Sequence, residues 1–284
     1  MMVTLITDLG TRDPALATVR GTLLSALPHA QLTDLTHHIP PQSQREAAHI
    51  LASAWHYFPA GTVHIAPVAL FVGSRPSMAL IAWQGHYFIA PDNGLLPLAL
   101  GDEAAALACL CHTYGKPYHT GTWIQDAARM LQRIHAADPL PHTPISLQAL
   151  KPLLPLQTTG ASVDCRVLRV DRYGNVTFDI RRHEFEELVG MKEFGIEVIL
   201  NVAQDAPTML YEQENDKKQK RVKIEQIAAI SHHYNDVPVG HSLCRFNKAG
   251  HMEIAVNHGS AAERLLLDTS DPSRLYYNTV RIRF

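Results

Sequence analysis

The order of hydrophobic and polar positions changes along the chain and divides it into two halves. In the first half, apolar runs of strand length alternate with segments of helical spacing, which is typical of a mostly parallel α/β sheet. The predicted strands are 3–7, 30–35, 63–71, 79–83 and 86–90, and the predicted helices are 14–27, 44–57 and most of 121–137. Several runs are apolar throughout, as expected of parallel strands that are buried on both faces.

The second half contains short alternating runs that are separated by turn signals, a pattern typical of a small all-β domain. These runs are 163–170, 175–180, 195–202, 222–227, 252–256 and 279–284. A stretch rich in Pro, Leu and Thr precedes them and indicates a linker. We therefore predict an α/β domain with a Rossmann-like sheet at 1–140, a linker at 141–161 and a small all-β barrel domain at 162–284.

Charged residues are missing from a long part of the first half. Residues 47–74 and 76–91 contain no Asp, Glu, Lys or Arg, and only Arg75 stands between them. A spanning helix needs about 20 predominantly apolar residues, whereas histidines, prolines and Gly61 break this stretch into short pieces. The pattern thus predicts buried strands and no membrane span. The first residues also lack the basic segment and long apolar core of a signal peptide.

Composition narrows the class of protein further. The 284 residues are 46% hydrophobic and 18% charged, which excludes a disordered chain. A net charge of −2 gives no basic bias toward nucleic acid or anionic lipid. The one dense charge run, 212–223, indicates a solvated hairpin, with a nucleic-acid contact as the alternative. The scattered cysteines indicate thiols in a reducing cytoplasm, and neither the cysteines nor the 17 histidines have metal-ligand spacing, so we expect no metal.

Polar residues follow several predicted strands, at the edge where open α/β sheets bind ligands. Asp8 follows the first strand, and its carboxylate could hold the vicinal hydroxyls of a ribose or cap a helix. His37 and His38 could be metal ligands, but neighbouring residues of an extended chain point to opposite sides, which favours a structural role. Asn93 lies in the turn sequence Ala90-Pro91-Asp92-Asn93-Gly94, which either points into the same crevice or serves only as a turn.

Two turns of the second half have residues suited to a nucleoside. In the sequence DRYGN, Tyr173 could stack on a base and Asn175 could read a purine edge, although the segment alone is also a simple turn. The segment NHGSAA at 257–262 is a second turn, and its small residues would allow a close backbone approach.

Six segments in order resemble the S-adenosyl-L-methionine hydroxide adenosyltransferases, relatives of the bacterial fluorinase and chlorinase. They cover nearly the whole chain and read TDLG, DLTHHIPPQ, YFPAGTVHIA, FIAPDNGLL, VDRYGN and MEIAVNHGSAA. The resemblance implies an α/β domain, a C-terminal β-barrel and a homotrimer. It also implies that the ligand lies between the N-terminal domain of one subunit and the C-terminal domain of the next.

The resemblance also implies roles for individual residues. Asp8 would hold the ribose diol, Asp171 would meet the methionine ammonium, and Tyr173 and Asn175 would contact the adenine. The remaining residues expected around the ligand are Gln42, Asn93, Tyr118, Lys248 and Asn257. The implied reaction is attack of water or hydroxide at the ribose C5′, with methionine as the leaving group and no cofactor besides this substrate.

The segments that would activate the water depart from the family pattern. Ala69 stands where the family carries an Asp, and Arg75 stands one position early. His119 aligns with the family's catalytic His, but the Arg and Asp expected after it are absent. We therefore expect Arg75 and His119 to handle the nucleophile in a hydrolase that forms adenosine. The alternative is a homologue that binds adenosine or S-adenosyl-L-methionine without turnover, whereas halide chemistry is disfavoured because no matching insertion follows Ser74.

Overall fold

The N-terminal half of the chain folds around one mixed sheet of six strands. In the computed structural model, these strands are β1 (Met2–Ile6), β2 (Gln31–Thr36), β3 (Val63–Ile65), β4 (Ser77–Trp83), β5 (His86–Pro91) and β6 (Cys109–Thr113). Their order across the sheet is β2-β1-β3-β5-β4-β6. The pairs β1–β2, β1–β3 and β3–β5 are parallel, whereas β4 is antiparallel to both of its neighbours.

Two details of the predicted sheet are corrected. Strand β4 runs opposite to β5 because Gln84 and Gly85, with φ of 48° and 79°, form a two-residue hairpin turn between them. Strand β3 ends at Ile65 instead of continuing to 71, since Pro67 has no N–H for a central ladder. Strand β6, which the sequence reading missed, forms the edge beside β4.

Helices cover both faces of this sheet. They are α1 (Ala15–Ala26), α2 (Gln44–Ala54), α3 (Leu95–Leu100), α4 (Asp102–Ala105) and α5 (Thr120–Ala136). Side chains of α1 and α5 share one buried cluster with β1, β3 and β5, while α2, α3 and α4 pack in a second cluster. Most described residues of the stretch without charges are buried, and this burial explains why the stretch lacks charged side chains.

The C-terminal half is built on an antiparallel sheet of eight strands. They are β7 (Gln157–Thr159), β8 (Ser162–Val170), β9 (Val176–Arg181), β10 (Gly195–Leu200), β11 (Lys220–Val222), β12 (Ser242–Phe246), β13 (His251–Val256) and β14 (Thr279–Arg283). Their order is β11-β10-β14-β8-β9-β13-β12, and β7 also pairs with β8. The helices α6 (Arg182–Val189) and α7 (Ala261–Arg264) lie between strands of this sheet. The antiparallel sheet of the predicted β domain is therefore confirmed, whereas the sequence did not predict the helices α6 and α7.

The chain divides into two compact units, 1–151 and 152–284. The structure describes residues 1–41, 43–70, 77–114, 119–148, 157–159, 161–190, 194–200, 220–222, 227, 229–269, 275 and 278–283. The hairpin predicted at 212–223 lies outside these residues except for β11. Among the helices in these ranges, none is long and apolar enough to cross a bilayer.

Candidate active site

The carboxyl ends of the strands in the N-terminal unit bring several polar residues to one edge of the sheet. Strands β1, β2, β3 and β5 are parallel, and β6 has the same direction because β4 is antiparallel to β5 and to β6. The segments that follow these strands therefore begin at the same edge. They contribute Asp8, His37, Ala69, Asn93 and His119.

The carboxylate of Asp8 lies against the backbone of Ala69. The Ala69 amide donates a hydrogen bond of 3.0 Å to Asp8 Oδ2. Ala69 is buried and has a φ of 52°, a left-handed conformation that costs an alanine about 1 kcal/mol or more. A carboxylate has about four lone-pair sites, so Asp8 keeps the capacity to accept further hydrogen bonds.

Asn93 also stabilises the turn that contains Ala69. Its Nδ2 donates to the carbonyl oxygens of Val68 at 2.9 Å and Ala69 at 3.3 Å. Its Oδ1 accepts from the amide of Leu95 in the first turn of α3. The side chain is buried, so the described contacts of Asn93 fix the backbone on which Ala69 stands.

Two further carboxylates that could stand in for the absent family Asp have other hydrogen-bond partners. Asp92 Oδ1 accepts a hydrogen bond of 2.7 Å from the amide of Gln148. Asp126 accepts from the Tyr114 hydroxyl at 3.0 Å and pairs with Arg129. Burial, together with the Asp126 charge, raises the pKa of Tyr114 well above its ordinary value. In the described part of the chain, Asp8 is therefore the carboxylate that is hydrogen-bonded to Ala69.

His119 is exposed and occupies the N-cap of α5. Its carbonyl oxygen accepts from the amides of Thr122 and Trp123, while its side chain forms no capping hydrogen bond. The imidazole is thus exposed at the start of α5 and has no role in the helix cap. Gln42, Arg75 and Tyr118, which the sequence reading also placed at the ligand, lie outside the described residues.

A polar network behind Asp8 joins the ends of β1 and β2. The Thr7 hydroxyl lies 3.0 Å from His37 Nδ1, and His37 Nε2 lies 3.0 Å from Asp34 Oδ1. Asp34 also pairs with Arg20 of α1. Burial alone would raise the pKa of Asp34, but the contacts with Arg20 and His37 outweigh it and lower that pKa. His37 is buried and His38 is exposed, in line with the structural reading.

In the C-terminal unit, Asp171 organises the DRYGN turn. Its Oδ1 accepts from the amides of Tyr173 at 2.8 Å and Asn175 at 2.9 Å. Its Oδ2 accepts from Asn175 Nδ2 at 2.9 Å. Asn175 is buried, whereas Tyr173 is 78% exposed. The turn therefore combines an exposed aromatic ring with a buried asparagine that Asp171 holds in place.

The turn at 257–262 packs directly on the DRYGN turn. The Ala262 amide donates to the Gly174 carbonyl at 2.8 Å. A Cβ at Gly174 would lie 2.1 Å from Ser260 Oγ and 3.0 Å from its Cα, and Gly174 has a φ of 79°. The close backbone approach predicted for the small residues is thus present, and it requires glycine at position 174.

Asn257 and Lys248 occupy different environments in the same unit. Asn257 is buried, donates from Nδ2 to the Val237 carbonyl at 2.7 Å, and accepts at its own carbonyl from Gly240. Lys248 is exposed in a turn where Asn247 Oδ1 accepts from the amides of Ala249 and His251. Asn257 therefore fixes the loop before β12, and Lys248 lies in an exposed turn.

The sequence reading missed a buried carboxylate in β13. The Tyr234 hydroxyl donates to Glu253 Oε1 at 3.0 Å, and the Arg245 guanidinium lies 4.6 Å from the centroid of the Tyr234 ring. Burial raises the pKa of Glu253, with a further contribution from the charge of Asp171. Burial and the Glu253 charge raise the pKa of Tyr234 to about 12. A single charged residue inside the otherwise apolar run 252–256 is the sequence signal that could have drawn attention to Glu253.

No group of three or more His, Cys, Asp or Glu suited to a metal ion occurs among the residues the structure describes. The arrangement defines a two-unit protein whose N-terminal α/β unit has polar residues after the carboxyl ends of its parallel strands, where open α/β sheets bind ligands. Residues 3–122 match the model described as SAM hydroxide adenosyltransferase N-terminal domain, and residues 165–274 match the corresponding C-terminal domain. The chain belongs to the SAM hydroxide adenosyltransferase family.

Similar proteins extend over nearly the whole chain. A protein of Thermus thermophilus named (R)-S-adenosyl-L-methionine hydrolase is 29% identical over 95% of this chain and 97% of its own length. A protein of Salinispora arenicola with the same name is 30% identical over 96% and 97%. A solved structure of an uncharacterized conserved protein from Thermotoga maritima covers both chains completely, with a TM-score of 0.68 at 24% identity, and shows the shared fold.

Proposed function

We propose that this protein hydrolyses S-adenosyl-L-methionine to adenosine and L-methionine. Membership of the family and the names of relatives that match both chains almost completely support this activity. The structural observation that carries it is the placement of Asp8 at the carboxyl end of β1, with its carboxylate fixed on the Ala69 amide. This carboxylate can still accept hydrogen bonds from the two vicinal hydroxyls of a ribose.

The reaction is a displacement at the ribose C5′. The oxygen of a water forms a bond to C5′ while the bond from C5′ to sulfur breaks, and its electron pair stays on the sulfur of neutral methionine. The water loses one proton to a base or to solvent. Because the positive charge of the sulfonium disappears when hydroxide attacks, a dry pocket favours the reaction.

His119 and Arg75 are the residues we assign to the nucleophile. The exposed position of His119 at the start of α5, without a capping hydrogen bond from its side chain, supports a role toward substrate or water. A positioned base typically contributes about 10²- to 10⁴-fold in rate. Gln42 and Tyr118 are proposed to contact the ligand, and Asn93 is proposed to hold the turn at Ala69 that lies against it.

The C-terminal unit is proposed to bind the adenine and methionine parts. Tyr173 is an aromatic ring that is 78% exposed in a single chain, and an exposed ring beside a fixed Asn175 suits a purine. Asp171, Lys248 and Asn257 are assigned to the same side of the ligand. The protein is also proposed to form a homotrimer in which neighbouring subunits share each site. The eight-stranded sheet is proposed to close into a barrel. Four free cysteines fit our placement of the protein in the cytoplasm.

A second candidate function is nucleoside binding without turnover. Ala69 favours it, since a methyl group cannot activate or orient water as a carboxylate can. In this case the ribose and adenine contacts persist and the chemical step does not occur.

Incubation of the purified protein with S-adenosyl-L-methionine, followed by chromatography for adenosine, tests the hydrolase. We expect adenosine and methionine in equal amounts, and a lower rate for His119→Ala. Tight binding of adenosine in calorimetry without turnover supports the second candidate. Absence of both binding and turnover rejects both candidates, and sedimentation velocity tests the trimer separately.

A further inference from the structure

We propose that Thr7 and His37 are positioning residues that hold Asp8 in the orientation needed to bind a ribose diol. The inference rests on the proposed function, because it gives Asp8 a ligand. It assigns a role to a buried threonine–histidine contact that neither the resemblance nor the proposed chemistry uses.

The chain on both sides of Asp8 is fixed to Thr7 and to the end of β2. The Leu9 amide donates to Thr7 Oγ1 at 3.3 Å, and the Gly10 amide donates to the His37 carbonyl at 2.7 Å. The Thr7 amide donates to the Thr36 carbonyl at 3.0 Å. The backbone of Asp8 is thus held between two anchored neighbours.

An irregularity in β2 places the His37 ring where it can reach Thr7. In β1 and β2, Leu5 pairs with Asp34 but Ile6 pairs with Thr36, so Leu35 is an extra residue on the β2 side. Such a bulge re-aims the side chains that follow it. As a result, Asp34 and His37 meet through a contact of 3.0 Å, although residues three apart in a regular strand point to opposite faces.

The protons of this network follow from its chemistry. The Asp34 carboxylate cannot donate, and two lone pairs 3.0 Å apart would repel, so we infer that His37 Nε2 carries a proton. In the neutral ring, Nδ1 is then an acceptor and the Thr7 hydroxyl donates to it. The lone pairs of Thr7 Oγ1 remain for the Leu9 amide. In this form of the ring the Thr7 hydroxyl donates to Nδ1 and accepts from the Leu9 amide, which fixes its direction. The contact of 3.0 Å between His37 Nε2 and Asp34 Oδ1 is an ion-pair distance without hydrogen-bond geometry.

The same contact occurs a second time on β1, away from Asp8. The Thr4 hydroxyl lies 2.7 Å from Nδ1 of His64, and both residues are buried to the same degree as Thr7 and His37. Thr4 lies inside β1, whereas Thr7 follows its carboxyl end. Loss of the Thr4 hydroxyl thus models the structural cost of losing a buried hydrogen bond without disturbing the Asp8 turn.

The experiment compares Thr7→Val with Thr4→Val in the full-length protein. We expect both to lower the urea midpoint of unfolding, but only Thr7→Val to raise the dissociation constant of adenosine, by about tenfold. The KM for S-adenosyl-L-methionine rises in parallel, while kcat changes less. Thr7→Ser, which keeps the hydroxyl, restores the affinity to within about threefold of the wild type.

Two substitutions of His37 test its contact with Thr7 and its contact with Asp34 separately. The amide of Asn reaches the position of Nδ1 and can still meet Thr7, whereas the amide of Gln reaches the position of Nε2 and can meet Asp34. We expect His37→Asn to bind adenosine more tightly than His37→Gln. Equal affinity of Thr7→Val and Thr4→Val overturns the positioning role. A wild-type protein that binds neither adenosine nor S-adenosyl-L-methionine contradicts the proposed function itself, and the inference with it.

Discussion

The carboxylate of Asp8 accepts a hydrogen bond of 3.0 Å from the backbone amide of Ala69. This contact joins the residue assigned to the ribose with the position where the family resemblance expects a carboxylate. Asn93 also fixes this backbone by donating hydrogen bonds to the carbonyls of Val68 and Ala69. The scaffold of the turn is therefore in place although the side chain at position 69 is only a methyl group.

Replacement of Ala69 by Asp tests how far the absence of a carboxylate at this position lowers the rate of hydrolysis. The φ of 52° at this position is one that Asp tolerates better than Ala, so the variant needs no change of backbone. We expect Ala69→Asp to release adenosine at least about tenfold faster than the wild type. Ala69→Asn is the uncharged control. An unchanged or lower rate for Ala69→Asp contradicts the view that the absent carboxylate limits turnover.

Asp8→Asn tests the ribose contact. An amide oxygen can still accept from the Ala69 amide, but the variant loses the charge that strengthens hydrogen bonds to hydroxyls. We expect the dissociation constant of adenosine to rise about 10- to 100-fold in calorimetry. The affinity for 2′-deoxyadenosine should change much less. If both ligands lose affinity equally, Asp8 does not bind the diol.

The close packing of Gly174 on Ser260 gives a test of stability in the C-terminal unit. A methyl group at position 174 would clash with Ser260 and would also occupy a φ of 79°. We expect Gly174→Ala to lower the free energy of unfolding by about 2–4 kcal/mol in urea denaturation. Gly250 has a φ of 77° and open space around it, so Gly250→Ala should cost only about 1 kcal/mol. Equal losses would show that the contact with Ser260 is unimportant.

The raised pKa of Glu253 predicts that the protein loses stability as the pH rises above about 4.5. Its pKa is raised in the folded protein, chiefly by burial, above the ordinary value of 4.5. Its contribution to stability is therefore present below about pH 4.5 and is lost as the pH rises through the raised pKa. Glu253→Gln should gain stability relative to the wild type between pH 5 and pH 8. Urea midpoints that change in parallel for both proteins over this range (about three pH units) would contradict the burial argument.

The sequence predicted the elements better than their directions. Continuous apolar runs indicated buried strands, but they do not encode direction, and the turn at Gln84 and Gly85 makes β4 antiparallel. This turn lacks the Asn-Gly or Asp-Gly signal of a hairpin. Helix α6 was missed because its polar, charged sequence carries only two buried side chains, Phe185 and Val189.

The candidate site was predictable where it depends on strand ends and not where it depends on long-range contacts. The place of Asp8 follows from its position after β1. The meeting of Thr7 with His37, 30 residues apart, depends on the parallel pairing of β1 and β2 and on the bulge at Leu35. The buried contact of Tyr234 with Glu253 likewise arises only when the loop before β12 covers β13.

Hydrolysis in water enriched in ¹⁸O tests the central claim most directly. The purified protein is incubated with S-adenosyl-L-methionine, the products are separated, and their masses are measured by mass spectrometry. Attack of water at C5′ predicts one ¹⁸O in the 5′-hydroxyl of adenosine and none in methionine. Adenosine without the label, or no adenosine after prolonged incubation at high protein concentration, would contradict the account.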